Sequence, residues 1–157
     1  MVRWMTISPL CGFVSDIMDE LLRLIIKNSF EAIPPASQTV TQWLEQRQVP
    51  AAASYLANLI IEELVTNCVK YGYDDKRDHD IEINLSISGD HMTLTIIDDG
   101  HEFNPLKAPA PNKDLPLEAR PIGGLGIHLL RQLADRMTYE RREGLNHVTV
   151  TKRLTCV

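Results

Sequence analysis

Three short stretches of this chain carry residue types whose spacing could do chemistry. In Leu59-Ile60-Ile61-Glu62-Glu63-Leu64-Val65-Thr66-Asn67-Cys68-Val69-Lys70-Tyr71-Gly72, Glu63 and Asn67 stand four residues apart. On a helix that spacing puts a carboxylate and an amide on one face, about one pitch (~5.4 Å) apart. Glu62 is rotated roughly 100° from Glu63 and reads as the solvated neighbour. Asp98-Asp99-Gly100 ends an apolar alternating run. A carboxylate there can accept a hydrogen bond from a ligand amine such as the exocyclic amino group of adenine. Gly123-Gly124-Leu125-Gly126 opens a helical pattern, and free N–H groups at a helix start favour an anion such as phosphate. Each stretch has an ordinary alternative: a surface hydrogen-bonded pair, a strand-ending turn and a tight loop-to-helix turn.

The elements that must position these residues follow from periodicity. Leu56, Ile60, Leu64 and Cys68 recur at four-residue steps, with Ile61, Val65 and Val69 beside them, predicting one long, largely buried helix. Pro50 fits its first turn, and Gly72 with the polar run 74–78 ends it. Ile81, Ile83, Leu85 and Ile87 alternate with polar residues, and Met92, Leu94 and Ile96 do the same after Ser88-Gly89-Asp90. These are two strands of an antiparallel hairpin with one wet face. Segment 21–30 reads as a strand or a short helix, strand being preferred, stopped by Pro34-Pro35. Ser37 is then the expected cap of a helix on which Val40, Trp43 and Leu44 share a face. Five prolines between Pro105 and Pro121 exclude a long helix or central strand, which suits a lid over a site. A helix over Ile127, Leu129, Leu130, Leu133 and Ala134 follows. A last hairpin, 137–142 and 147–154, is joined by Glu143-Gly144-Leu145-Asn146.

With 157 residues the chain suits one domain with a real core. A net charge of -5 and no Lys/Arg run argue against a nucleic-acid surface, and no apolar stretch reaches the ~18 residues of a membrane span. Cys11, Cys68 and Cys156 match neither zinc nor redox-pair spacing and are expected to be unpaired thiols in a cytoplasmic protein. The five histidines show no H-x-x-x-H spacing and are expected on surfaces or loops. Residues 1–20 are read as a poorly patterned extension, the start at Met1 competing with one at Met18, and 21–157 as the domain.

In their order these motifs resemble the ATP-binding motifs of the histidine-kinase-like, or Bergerat-fold, ATPases. Glu62-Glu63-Leu64-Val65-Thr66-Asn67 with Lys70-Tyr71-Gly72-Tyr73, Asp98-Asp99-Gly100 with Phe103-Asn104-Pro105, Gly123-Gly124-Leu125-Gly126-Ile127-His128, and Asp135…Tyr139…Gly144-Leu145-Asn146 look like the anti-sigma-factor serine/threonine kinase branch. The resemblance implies an α+β two-layer sandwich, a mixed, mostly antiparallel sheet with helices on one face. It implies that ATP and Mg²⁺ are bound. Asn67 would be the metal ligand and Glu63 the general base toward a partner's hydroxyl. Asp98 would hold the adenine amine, Gly100 would make room for the base, and Gly124 and Gly126 would close over the phosphates. The implied partners are a sigma factor and an anti-sigma-factor antagonist, with a homodimer, no direct nucleic acid and no membrane. Glu102 departs from the wider superfamily, which often has a second glycine there. A nucleotide-dependent protein-binding module without kinase activity is the rival reading, and a structural adaptor with decayed motifs stands behind it.

Overall fold

Alternating burial along the strands builds the molecule around one sheet. The computed structural model describes residues 20–107 and 125–154. Strands β1 (Glu20–Lys27), β2 (Asp80–Ser88), β3 (His91–Asp98), β4 (Arg136–Arg142) and β5 (Leu145–Arg153) lie in the order β1-β2-β3-β5-β4. Every neighbouring pair is antiparallel. The expectation of a mixed, mostly antiparallel sheet is thus met at its antiparallel end. Ile81, Ile83, Leu85, Met92, Leu94, Ile96, Val148 and Val150 point to one face and are buried, while Asn84, Thr93, Thr95 and Thr149 between them are only half-covered. Helices α1 (Ile33–Gln46), α2 (Ala51–Ile60) and α4 (Leu125–Leu133) supply the facing layer through Val40, Leu44, Leu56, Ile60 and Leu130, and α3 (Thr66–Tyr71) adds only the partly buried Cys68 and Val69. Each of the fully buried side chains contributes about 1.5–3 kcal/mol by burial. The exposed pairs Arg23–Glu82 and Lys27–Asp80 contribute roughly 0–1 kcal/mol each, so they bias the β1 register rather than hold the fold.

Segment 21–30 is a strand, as preferred, but it ends at Lys27 and starts one residue before the expected boundary at 21. The prolines act opposite to expectation. α1 begins at Ile33 with Pro34 and Pro35 inside its first turn, so Ser37 is an interior residue and not the cap. The first turn needs no N–H donors, and proline's fixed φ suits it, so a proline pair can start a helix as readily as stop a strand.

The long central helix is not continuous. A π-helical turn, Ile61–Val65, separates α2 from α3. Such turns insert an extra residue into the helical repeat. Here the insertion lets Ile61, Leu64 and Val65 all be buried while Glu62 stays exposed, as expected for it. Gly72 follows α3, but its φ of -79° is an ordinary helical value. Its usefulness lies in close approach: a Cβ on Gly72 would stand 2.6 Å from the Cys68 carbonyl oxygen, and the Gly72 carbonyl in turn accepts from the His101 N–H at 2.8 Å.

The last hairpin is tighter than the sequence suggested. Only Glu143 and Gly144 form the turn, with φ of 53° and 82°. Two consecutive positive-φ residues are what a two-residue turn matched to strand twist requires. Leu145 and Asn146, expected in the loop, belong to β5, and Asn146 comes to lie opposite Asp98 on β3.

Candidate functional site

Asp98 is the last residue of β3 and only 5% exposed, and that burial forces it to find partners. Its Oδ1 accepts from the Gly100 N–H and from Asn146 Nδ2, both at 2.9 Å. Its Oδ2 meets one weak donor, the Cys68 thiol at 3.4 Å. One carboxylate oxygen is therefore saturated, and the other keeps room for a stronger donor. Gly100 is built in for space: a Cβ there would stand 2.8 Å from the Gly72 carbonyl and 2.9 Å from Asp98 Oδ1. These features fit a purine amine.

Cys68 carries the helix face to this strand. Burial, reinforced by the neighbouring Asp98 charge, pushes its thiol well above the ordinary range, so it serves as a neutral donor. Glu63 lies within the π turn and Asn67 four residues on in α3, both half-buried. Neither side chain is committed to a hydrogen bond or ion pair among the described residues. The Glu63 carboxyl lies against the first turn of α4, where a Cβ on Gly126 would overlap it. Glycine at 126 is what lets the carboxyl sit there. Glu63 and Gly126, 63 residues apart in sequence, are thus in contact, as a shared site requires. Gly123 and Gly124, and the proline-rich stretch from Pro109 to Pro121, lie outside the described residues, as do Cys11 and Cys156.

Several residues that sequence reasoning left without a role belong to this site. Asn146, 3% exposed, accepts at Oδ1 from Tyr139 Oη (2.9 Å) and Arg141 Nη1 (2.8 Å). Arg141 also donates to the Gly100 carbonyl at 2.8 Å. His79, expected to be an ordinary surface or loop histidine, bridges two carboxylates: Nε2 meets Asp75 at 2.9 Å and Nδ1 meets Asp99 at 3.1 Å, while its ring stacks on Tyr73. The hydrogen bonds to Asp75 and then Asp99 raise the imidazole's pKa, and His79 with Arg77 holds the Asp75 carboxyl down at about 2. His101, by contrast, is an exposed partner of Asp74. A cleft of about 450 Å³ is lined by Tyr73, Asp75, His79, Asp99 and Arg141, beside the Asp98 network. Gly100 lines it too, whereas Glu63, Asn67 and Asp98 do not, so Gly100 is where the cleft meets the Asp98 network.

A one-sided helical layer on a five-stranded antiparallel sheet is the architecture of a histidine kinase-like ATPase domain. The chain belongs to the histidine kinase-like ATPase domain family, whose model matches residues 26–152. Among its relatives, the serine/threonine-protein kinase BtrW of Bordetella bronchiseptica is 27% identical over 113 residues, 69% of this chain and 80% of the relative. The serine-protein kinase RsbW of Staphylococcus aureus is 31% identical over 101 residues, 61% of this chain and 63% of the relative. That of Oceanobacillus iheyensis is 28% identical over 89 residues, 54% of this chain and 56% of the relative. The chain thus spans less than two thirds of these two RsbW relatives. A solved structure of the RsbU and RsbW domains of a Mycobacterium tuberculosis protein superposes with a TM-score of 0.62 at 18% identity, covering 86% of this chain and 32% of that one. It shares the fold. No described helix is long and apolar enough to cross a membrane.

Proposed function

We propose that this protein is an ATP-dependent serine/threonine kinase that binds a sigma factor and phosphorylates an anti-sigma-factor antagonist, acting in transcription regulation in the cytoplasm as a homodimer. The ATPase unit is taken as 21–157, with 1–20 as an extension. The observation that carries the kinase reading is the Glu63 carboxyl seated against Gly126 at the start of α4, with Asn67 four residues further along the same helical segment. The named serine kinases among the relatives support it.

The donor set suits the metal. Among the described residues no group of three His, Cys, Asp or Glu stands together as a metal site. Mg²⁺ keeps several waters and is held through few protein oxygens plus substrate phosphates, and the half-buried Asn67 amide offers one such oxygen. When bound there it would neutralise charge on the phosphates. Asp98 accepts the adenine amine, and the first turn of α4 faces the phosphates. Glu63 takes the proton from the partner's serine hydroxyl as the new oxygen–phosphorus bond forms and the bond to the leaving ADP oxygen breaks. A positioned base of this kind contributes typically ~10²–10⁴-fold.

Incubation with γ-labelled ATP and a candidate anti-sigma-factor antagonist tests the reading. Wild type should label the antagonist. Glu63→Gln should keep ATP and partner binding while losing most of the label, and Asn67→Ala should lose metal-dependent ATP binding. Wild-type transfer rates in Glu63→Gln would sink the base assignment. A wild-type protein that grips a partner in ATP yet labels nothing would make it a nucleotide-dependent binding module without kinase activity.

A further inference from the structure

His79 stands just before β2 and meets a carboxylate with each ring nitrogen. Nε2 lies 2.9 Å from Asp75 Oδ1, while Nδ1 faces both oxygens of Asp99, at 3.2 and 3.1 Å. A neutral imidazole has one N–H and one lone pair, so it donates to one of these partners and turns a lone pair toward the other. Only the imidazolium donates from both nitrogens. The double bridge is therefore a property of the protonated ring. The residue itself is held by other means. Its N–H donates to Asn28 Oδ1 at 2.9 Å, its carbonyl accepts from the Asn28 N–H at 3.0 Å, and its ring stacks on Tyr73 with centroids 4.1 Å apart. With backbone and ring plane fixed in this way, the proton governs the links to the carboxylates.

The two carboxylates belong to different parts of the fold. Asp75 lies in the turn after α3, four residues before His79, and Arg77 pairs with it as well. Asp99 follows the last residue of β3. When the ring is neutral the single N–H goes to the shorter contact, Asp75, and the lone pair of Nδ1 is left facing Asp99. We propose that His79 is a proton-operated clasp: charged, it ties segment 73–79 to the end of β3, and neutral, it releases Asp99. The cleft of about 450 Å³ is lined from both segments, by Tyr73, Asp75 and His79 and by Asp99 and Gly100. Its shape therefore depends on whether the clasp is closed.

The surroundings set the range in which it works. The hydrogen bonds to Asp75 and then Asp99 outweigh the burial of the ring and raise its pKa above the ordinary 6.5. Further along the cleft, Glu102 adds negative charge, and Asp74 is paired with His101. Arg77, bound to Asp75, and Arg141 from β4 act in the opposite sense. On the β1 side Lys27 is matched by Asp80. A raised pKa means that the clasp is closed below pH 6.5 and opens as pH rises through the folded value.

Two measurements on the full chain without nucleotide, between about pH 6 and pH 9, test the clasp: imidazole nitrogen shifts by NMR, and amide hydrogen exchange of residues 73–78 corrected for its intrinsic pH dependence. At the acid end His79 should carry a proton on both nitrogens. It should titrate with a midpoint above the ordinary 6.5 and become the tautomer protonated at Nε2. Protection of 73–78 should fall about tenfold across the same midpoint, the scale of one charge-assisted hydrogen bond. His79→Gln should show no such step. Asp99→Asn, at a half-exposed position, removes the charge across the clasp and should move the His79 midpoint down by about one pH unit. It also serves as the test if His79→Gln does not fold. A wild-type midpoint at or below 6.5, a neutral ring protonated at Nδ1, protection that ignores the titration, or a midpoint unmoved in Asp99→Asn would each overturn the inference.

Discussion

Replacing Asp98 by asparagine removes one charge while keeping the shape of a residue that is only 5% exposed. The amide oxygen will take the place of Oδ1, because the Gly100 N–H and Asn146 Nδ2 both donate there at 2.9 Å. The new amine then occupies the Oδ2 position, beside the Cys68 thiol, and points a donor at the place where a purine amine also brings a donor. The fold keeps two of its three hydrogen bonds to this residue, so unfolding free energy should fall by no more than about 1–2 kcal/mol. Nucleotide binding loses a charge-assisted hydrogen bond worth roughly 1.5–3 kcal/mol. At 1.4 kcal/mol per decade, that is about a tenfold to hundredfold rise in Kd for ATP. Calorimetric titration with Mg-ATP, alongside a urea melt, reads both quantities. A folded variant that binds ATP like wild type would refute the assignment of Asp98 to the adenine site. A variant that fails to fold would refute the claim that Asn146 and Gly100 accept an amide oxygen in its place.

Gly126→Ala sets two effects against each other. Alanine is the better helix former by about 1 kcal/mol, and the obstruction is the far end of the flexible Glu63 side chain, so urea melts should show stability within about 1 kcal/mol of wild type. Displacing the candidate base should still slow phosphotransfer by on the order of tenfold to a hundredfold; a variant that transfers at the wild-type rate would mean the contact is incidental. His79→Gln should show a pH-dependent stability difference. The raised imidazole pKa means that its bridge is fully present below the ordinary 6.5 and is lost as pH rises through the folded value. The low Asp75 pKa keeps that partner ionised down to about 2. Thermal midpoints of wild type and variant should differ at pH 5.5 and converge by pH 9, and a constant difference would mean His79 acts by packing on Tyr73 instead. The Cys68 thiol, neutral and largely covered, should react slowly with an alkylating reagent at pH 8; fast modification of the folded protein would contradict the hydrogen bond to Asp98.

How far the sequence could be read follows from the range of each signal. The β2–β3 hairpin was legible because its alternation is local and one of its faces is wet. The helix around Glu63 was legible as a helix, but the π turn was not, since one inserted residue barely disturbs a repeat of 3.6 over so short a span. Pro34 and Pro35 gave a clear signal with two meanings, and only the position of the prolines within the first turn separates a start from a stop. Asn146 was hidden for a different reason. Gly144-Leu145-Asn146 has turn chemistry, and the placement of Asn146 opposite Asp98 arises only from the β3–β5 register between segments nearly fifty residues apart. The available cue was the pair Glu143-Gly144: read as a complete two-residue turn, it puts Asn146 in the strand.

The same contrast separates the two ends of the site. At Asp98, strand pairing, a backbone N–H, an amide and a guanidinium complete one another's hydrogen bonds, so the orientation of the carboxylate is set by the fold itself. At Glu63, position depends on a π turn and on the missing side chain of Gly126, with no hydrogen bond of the carboxylate to hold it among the described residues. Under the proposed function, preorganisation at the first end would favour tight binding, whereas at the second a small rotation of one side chain would decide whether Glu63 faces the hydroxyl. Substitutions at Asp98, Gly100 or Asn146 should therefore appear chiefly in nucleotide affinity, and those at Glu63 or Gly126 chiefly in the rate of transfer. A kinase and a nucleotide-gated binding protein can share the first end unchanged, so the chemistry that distinguishes them has to be sought at the contact between the π turn and α4.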